Sequence, residues 1–348
     1  MRRISYREAL NEAMDQEMAR DPRVFVYGID VADHKRIFGS SRGLVESHGP
    51  ERCFSTPLSE DAMTGFGLGA AINGLRPIHV HMRVDFFLLA MNQLANMISS
   101  YNYATQAQIG VPLVIRAIVG RGWGQSFQHS KTMHGWFAHL PGVKVVMPTT
   151  PRDAKGLLVS AIREDNPVIV IEHRWLYDAV DEVEDRDSET AIPLGTGQIL
   201  HPGSDVTVVA TSWMNVEAIK AAEILERRGV GVEVIDARSI VPLDETLILA
   251  SVEKTGHCIV ADNDWLYCGF SSEVAARVSE RCFGRLKSPV TRIGFAPVPC
   301  PCTRPLENRF YPNAVDILRA IESKLGLTAT DVTGEDFYSY ERKFRGPF

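Results

Sequence analysis

The sequence predicts an α/β protein made of two three-layer αβα domains, each a parallel sheet with helices on both faces. Three observations support this class. Short apolar runs alternate with amphipathic helical stretches along most of the chain, as in βαβ units. The strand runs are apolar throughout, as strands buried on both faces require. The length of 348 residues exceeds one ordinary core, so two domains are expected.

The first domain is assigned to residues 1–190. Its first helix carries one apolar face, and a later helix carries three glycines two residues apart, which indicates close packing against a neighbour. The face consists of Ala9, Leu10, Ala13, Met14 and Met18, and the glycines are Gly65, Gly67 and Gly69. The predicted helices are 5–19, 61–74, 86–101 and 152–163. The predicted strands are 24–27, 77–84, 111–119, 144–147 and 167–172.

The acidic stretch 178–189 predicts a solvated loop or linker between the domains. A second βαβ series follows and assigns 191–330 to the second domain. Ser271 is expected to cap one of its helices. Its strands are predicted at 206–210, 232–236, 258–261 and 290–293, and its helices at 216–228, 244–254, 271–282 and 314–324. Residues 331–348 are expected to form a tail that lies on a partner or is disordered.

Composition excludes several classes of protein. Apolar residues make up 45%, charged residues 23%, and the net charge is −6 without a basic run. We therefore expect neither nucleic acid nor an anionic membrane as a partner. No apolar stretch approaches the roughly 20 residues of a membrane span, and the N-terminus lacks a signal peptide's apolar core. A cytoplasmic protein is expected. The six cysteines fit no zinc spacing and are expected to be reduced thiols.

Several catalytic motifs are absent. GFGLGAAING has the wrong glycine spacing for a dinucleotide fingerprint and follows no strand, which disfavours a nicotinamide dehydrogenase. P-loop and HExxH sequences do not occur. His79 and His81 lie on the same face of one strand. Histidines satisfied by packing and hydrogen bonds are favoured there over a pair of metal ligands.

Three local sequences carry more information. Glu60, in TPLSE, stands at a loop-to-helix junction, where it could cap the helix or protonate a nitrogen heterocycle. Phe86, in RVDFF, stands at the end of a strand, where ligands collect in parallel sheets. The composition fits equally well the interpretation that these aromatic residues only pack in the core. A glycine-rich loop beginning at Gly120 delivers His129.

These sequences resemble the β subunits of 2-oxo acid dehydrogenases, the family that includes pyruvate, branched-chain 2-oxo acid and acetoin dehydrogenases. The resemblance covers roughly residues 4–325 and is specific for the family, not for the substrate. The stretches that carry it are TPLSED, VPLVIR, QHSK, FAHLPGVKVVMPTTPRDAKGLLVSAIREDNPVIVIEHRWLY, DVTVVA, VEVIDARSIVPLDETLI, SVEKTG and SSEVAARV.

The resemblance implies thiamine diphosphate as the cofactor and oxidative decarboxylation of a 2-oxo acid as the reaction. Glu60 would hydrogen-bond the pyrimidine N1′ and favour the tautomer that activates the cofactor. Phe86 would stack on the pyrimidine ring. His129 would assist proton transfer while the acyl group passes to a lipoyl group on a lipoyl domain or a separate carrier protein.

The resemblance also implies a partner. The GDG motif that holds the diphosphate and Mg²⁺ is missing from this chain, because in this family the α subunit carries it. An α₂β₂ heterotetramer with a shared active site is therefore expected. The family often binds a monovalent cation, K⁺, through backbone carbonyls. Such a cation would lie near Val111, Leu113, Ala161, Glu164 and Asn166.

The sequence departs from the family pattern at Ile29, Met82-Arg83, Arg121 to Trp123, and Trp265 to Gly269. Family drift is one explanation. The alternative is that Arg83, Arg121 or Trp123 reshapes the substrate pocket, since an arginine can bind a carboxylate or phosphate. A transketolase-like transfer of a two-carbon ketol unit from a ketose phosphate to a carrier-bound lipoyl group is one such reaction. A non-catalytic β-like scaffold is a further alternative, which the joint presence of Glu60, Phe86 and His129 disfavours.

Overall fold

A computed structural model describes residues 1–34, 36–120, 124–186, 188 and 190–337. The backbone forms two compact units. Unit 1 comprises Met1–Val119, Trp136–Leu194 and Ile240–Pro242, and unit 2 comprises Gly120–Gly135, Gly195–Ser239 and the chain from Leu243 onward. The segment 120–135, which the sequence places in the first domain, therefore groups with unit 2. Within the described residues, no helix combines the length and apolarity needed to cross a bilayer.

The strands within the described residues are numbered in chain order. They are β1 (Arg2–Ser5), β2 (Val24–Gly28), β3 (Cys53–Ser55), β4 (Arg76–His81), β5 (Val114–Val119), β6 (Lys144–Val146), β7 (Val168–His173), β8 (Val180–Val183), β9 (Gln198–His201), β10 (Val206–Ala210), β11 (Val232–Asp236), β12 (Ser239–Val241), β13 (Cys258–Trp265) and β14 (Thr291–Phe295).

The α-helices are numbered in the same way. They are α1 (Tyr6–Arg20), α2 (Leu44–His48), α3 (Glu60–Ile72), α4 (Val84–Phe87), α5 (Ser99–Ala104), α6 (His134–Ala138), α7 (Pro151–Arg163), α8 (Trp213–Glu226), α9 (Glu245–Thr255), α10 (Phe270–Arg281), α11 (Arg304–Phe310) and α12 (Ala314–Leu325).

Unit 1 is built on a seven-stranded sheet of order β12-β6-β7-β5-β4-β2-β3. The registers from β6 through β3 are all parallel, so the carboxyl ends of these strands share one edge. Strands β2, β4, β5 and β7 are buried along their whole length, as predicted for a sheet covered on both faces. The predicted apolar face of α1 is buried throughout.

Unit 2 is built on a five-stranded sheet of order β14-β13-β10-β11-β9. Its strands are parallel except β9, which pairs antiparallel with β11 at the edge. Helix α8 packs on β11 and α12. The apolar core of unit 2 is made of buried side chains from the strands and from these helices, with Val206 the first and Ile321 the last along the chain. The parallel α/β architecture predicted from the sequence is confirmed in both units.

The helix predicted at 86–101 is confirmed as an unbroken helical segment, although its turns vary and residues 93–98 are π-helical. Two other local predictions are wrong. Residues 180–183 form β8, which pairs antiparallel with β1; its charged, exposed pattern concealed an edge strand. Ser271 does not cap α10. Gly269 occupies the N-cap, and the Ser271 backbone N–H donates to Asp262 instead.

Candidate active site

Glu60 is the first residue of α3 and directly follows the loop after β3. The carboxyl end of a parallel strand is where an open α/β sheet collects ligands. The Glu60 side chain is half-buried, and Ser59 at the N-cap makes no side-chain capping bond. Glu60 therefore stands at the edge of the sheet where parallel α/β proteins bind their ligands.

Phe86 lies at the same edge, in α4 after β4. Its ring is 38% exposed, whereas the adjacent Phe87 is fully buried. Helix α3 packs against α4 and the turns that follow it, and Gln93 donates to Asp61, the neighbour of Glu60. A half-buried carboxylate and an exposed aromatic ring thus stand on adjoining elements.

Close contacts fix α3 on the sheet. A Cβ added to Gly67 would lie 2.2 Å from the Tyr27 hydroxyl, which donates to the Met63 carbonyl at 2.9 Å. The prediction of close packing is confirmed at Gly67. At Gly69, by contrast, no atom of the described residues lies within 4 Å of an added Cβ. The close contact with the sheet is therefore made on the face of the helix that carries Gly67.

His79 and His81 take part in this packing. The Thr64 hydroxyl, one turn after Glu60, lies 3.3 Å from His79 Nδ1 and 3.4 Å from His81 Nε2. The His79 ring stacks on Tyr27. Burial lowers the pKa of both histidines, to about 3 for His81, so both rings are neutral. These contacts agree with the interpretation of packed, hydrogen-bonded histidines.

Arg83 is buried and lies beside Arg174. Its guanidinium lies 5.4 Å from the centre of the Phe38 ring, and that of Arg174 lies 4.6 Å from the same ring. Burial and the nearby Arg174 lower the pKa of Arg83 to about 10, and Asp85 opposes them. The two arginines follow β4 and β7, so both stand at the carboxyl edge of the unit 1 sheet. Sequence reasoning missed Arg174, although its position directly after a buried strand was a usable signal.

His129 belongs to the described part of the 120–135 segment in unit 2. It follows a single helical turn, and its Nδ1 lies 3.3 Å from the Gln125 carbonyl. Ser130 is fully buried, and its hydroxyl donates to the Ser126 carbonyl. These hydrogen-bond contacts with the preceding turn define the local conformation of the backbone at His129. Arg121 and Trp123, the other predicted pocket residues, lie outside the described residues.

Backbone carbonyls of both segments suggested for a monovalent cation already accept hydrogen bonds. Val168 donates its N–H to the Leu113 carbonyl, and the Glu164 N–H lies within hydrogen-bond distance of the Ala161 carbonyl. Arg76 donates to the Ile162 and Glu164 carbonyls at 2.9 and 2.7 Å. Carbonyl oxygens thus converge here around a guanidinium. The described residues contain no side-chain cluster with metal-ligand character.

The departure at Trp265 has a structural explanation. Its indole N–H lies 3.0 Å from the Ala296 carbonyl, and its ring meets Phe295 and Phe310 edge-on. Trp265 therefore helps to build a small aromatic core within unit 2. Ile29, which follows β2, is another position where the sequence departs from the family pattern. It is half-buried, and nothing in the structure explains this departure.

The fold and these residues define a transketolase-type chain. Residues 2–179 match the family model of the transketolase pyrimidine binding domain, and residues 195–317 match that of the transketolase C-terminal domain. A split-gene transketolase, solved as an inactive β4 tetramer, superposes with a TM-score of 0.73 and 24% identity. That likeness covers 94% of this chain and 99% of the other and shows the fold alone.

Curated relatives narrow the class. The chain is 40% identical to pyruvate dehydrogenase E1 component subunit beta-2, mitochondrial, of Oryza sativa, over 91% of this chain and 85% of the relative. It is 38% identical to acetoin:2,6-dichlorophenolindophenol oxidoreductase subunit beta of Cupriavidus necator, over 92% of this chain and 96% of the relative. The chain belongs to the β-subunit family of thiamine-diphosphate-dependent 2-oxo acid dehydrogenases.

Proposed function

We propose that this chain supplies the pyrimidine-binding half of an active site that decarboxylates a 2-oxo acid and transfers the acyl group to a lipoyl group. The observation that carries the proposal is the placement of Glu60 and Phe86 on adjoining elements at the carboxyl edge of the unit 1 sheet. The relatives named above act, by their names, on pyruvate and acetoin.

The residues present fit the aminopyrimidine of thiamine diphosphate. Phe86 offers an exposed ring for stacking, and Glu60 offers a half-buried carboxylate for a ring nitrogen. The cofactor, when bound, supplies the nucleophilic carbon and the electron sink for decarboxylation. Glu60 would hold a proton at the ring nitrogen, and Phe86 would orient the ring. His129 would move a proton during acyl transfer.

We propose that an α-type subunit holds the diphosphate and Mg²⁺, and that the two chains assemble as an α₂β₂ heterotetramer. The names of the relatives as β subunits support a partner. Unit 1 also exposes several large apolar side chains, which a partner chain would cover. They are Leu58, Phe66, Phe86, Leu89, Met97, Tyr103 and Trp136. We expect the chain to self-associate when it is expressed alone.

A second candidate reaction is ketol transfer from a ketose phosphate to a carrier-bound lipoyl group. The neighbouring buried guanidinium groups of Arg83 and Arg174 favour it, because they concentrate positive charge at the carboxyl edge of the sheet. Arginine binds phosphate and carboxylate groups through paired hydrogen bonds.

Co-expression with an α-type subunit tests both reactions. The assembled pair would be assayed with thiamine diphosphate and Mg²⁺ against a panel of 2-oxo acids and ketose phosphates. Glu60→Gln should lower turnover by at least about 100-fold. Asp61→Asn, an adjacent carboxylate on the same helix, is the matched control and should change turnover by less than about 5-fold.

Three outcomes separate the alternatives. Decarboxylation of 2-oxo acids that is lost in Glu60→Gln supports the main proposal. Turnover of ketose phosphates alone replaces it with ketol transfer. Cofactor binding without turnover of either class, or no cofactor binding in the assembled pair, would indicate the scaffold.

Two further proposals have direct tests. We propose that K⁺ binds near Ala161 and Glu164, which metal analysis of the purified pair tests. We also propose that the protein is cytoplasmic, which cell fractionation tests.

A further inference from the structure

A fully buried histidine between two aspartates anchors the segment that carries His129. His134 Nε2 lies 2.9 Å from Asp262 Oδ1, and His134 Nδ1 lies 3.8 Å from Asp264 Oδ2. His134 and Asp262 are completely buried, and Asp264 nearly so. Both aspartates lie on β13 of unit 2. The predicted roles of Glu60, Phe86 and His129 leave this cluster unused.

Further contacts hold the same segment at both of its described ends. Gly124 donates its N–H to Glu307 at 3.1 Å. Asn263, between the two aspartates, donates to the Thr132 hydroxyl at 3.3 Å. His129 therefore lies between one attachment to α11 and another to β13, with His134 five residues away along the chain.

The backbone next to His134 is strained and tied to the cluster. Met133 has a φ of 58°, a conformation that costs an unbranched residue about 1 kcal/mol. Its N–H hydrogen-bonds Asp264, as does the N–H of Trp265. The carboxylate of Asp264 thus contacts both the side chain of His134 and the strained backbone before it, which couples the ion pair to the path of the segment.

Protonated His134 offsets one of the two negative charges that Asp262 and Asp264 bring into the cluster. Burial would lower the pKa of His134, but Asp262 and Asp264 outweigh it and raise the pKa. Burial raises the pKa of Asp264 to about 6, with Asp262 adding to the rise and His134 opposing it. The groups around His134 are these two carboxylates from β13 and the uncharged Phe270 ring from α10.

We propose that His134 is a positioning residue, whose ion pairs with Asp262 and Asp264 hold residues 124–135 in the conformation that places His129 for acyl transfer. The proposal rests on the proposed function for the role of His129, but the anchoring itself does not. Neutralising or removing His134 would leave two neighbouring buried carboxylates without their cation, an arrangement that favours opening of the segment.

The test uses the assembled α–β pair and two readouts. Hydrogen exchange reports opening of residues 124–135, and single-turnover kinetics separate decarboxylation from lipoyl acylation. His134→Gln should lower amide protection in this segment by about 10-fold or more. It should slow lipoyl acylation by about 10-fold or more and leave the thiamine diphosphate Kd within about 2-fold. His48→Gln is the matched control, since His48 pairs with Asp15 at 2.8 Å in unit 1.

Two additional measurements exclude a general loss of stability. The double variant His134→Gln/Asp264→Asn should recover part of the lost protection, because it removes one of the two uncompensated charges. Protection of the segment in the unaltered protein should fall as the pH rises through the pKa of His134, because deprotonation removes the pairing. In His134→Gln this fall should be absent.

Unchanged protection of residues 124–135 in His134→Gln would overturn the anchoring. Reduced protection with normal lipoyl acylation would overturn the positioning role. If the unaltered pair turns over no 2-oxo acid, the proposed function fails, and the exchange experiment alone still decides whether His134 anchors the segment.

Discussion

The guanidinium of Arg116 and the carboxylate of Glu172 form a two-point ion pair with both side chains fully buried. Nε and Nη2 of Arg116 donate to the two carboxylate oxygens at 2.5 and 2.8 Å. The Tyr177 hydroxyl donates to the same carboxylate at 2.5 Å. Arg116 and Glu172 lie on the adjacent parallel strands β5 and β7, and Arg174 directly follows β7. The pair therefore ties β5 to β7 on the face of the sheet that Met14 of α1 covers.

Removing one partner should destabilise unit 1 strongly, since it leaves a buried charge unpaired. Arg116→Met should lower the free energy of unfolding by about 3–5 kcal/mol, measured by urea denaturation. Arg152→Met is the control, because Arg152 pairs with Glu184 at the surface and should cost less than about 1 kcal/mol. The double variant Arg116→Met/Glu172→Leu should be more stable than Arg116→Met. If it is not, the cost lies in packing instead of charge.

The buried histidines next to α3 predict a loss of stability in mild acid. The pKa of His81 falls from an ordinary value near 6.5 to about 3 in the folded chain. The stability that neutral, buried His81 contributes is therefore fully present above pH 6.5. This stability is lost as the pH falls from 6.5 towards 3, because over this range only the unfolded chain takes up the proton. Between pH 7 and pH 5 the loss should be about 2 kcal/mol for this residue.

Urea denaturation of His81→Gln at both pH values checks this. The variant should be less stable at pH 7, and its stability should fall less between pH 7 and pH 5 than that of the unaltered chain. Equal slopes for His81→Gln and the unaltered chain would show that His81 is protonated in the folded state.

The sequence predicts the fold well because buried parallel strands need continuous apolar runs, and β2, β4, β5 and β7 have them. It also predicts Glu60, Phe86 and His129 as candidates, because each belongs to a local motif. It cannot predict the His134 cluster, since the partners of His134 lie far along the chain on β13 and only folding brings them together. For the same reason the sequence cannot predict the Arg116–Glu172 ion pair, nor that the guanidinium groups of Arg83 and Arg174 both lie over the ring of Phe38.

Phe86 should contribute to cofactor affinity by stacking. Phe86→Ala should raise the thiamine diphosphate Kd of the assembled pair by about 2- to 10-fold, the range expected for one aromatic contact. Phe66→Ala is the control, because Phe66 is also an exposed aromatic of unit 1 but packs edge-on against Tyr27. Calorimetric titration measures both. Equal effects of the two variants on the Kd would indicate a general effect of removing surface aromatics.

The glycines of α3 should differ sharply in their tolerance of alanine. Gly67→Ala places a Cβ against the Tyr27 hydroxyl and should cost about 1–3 kcal/mol of unfolding free energy through overpacking. Gly69→Ala meets open space and should stabilise the helix by about 0.5–1 kcal/mol. Because α3 begins at Glu60, Gly67→Ala should also lower turnover in the assembled pair, whereas Gly69→Ala should not. Similar stabilities for the two variants would show that α3 does not depend on its close contact with Tyr27, and that Glu60 is positioned by its own loop instead.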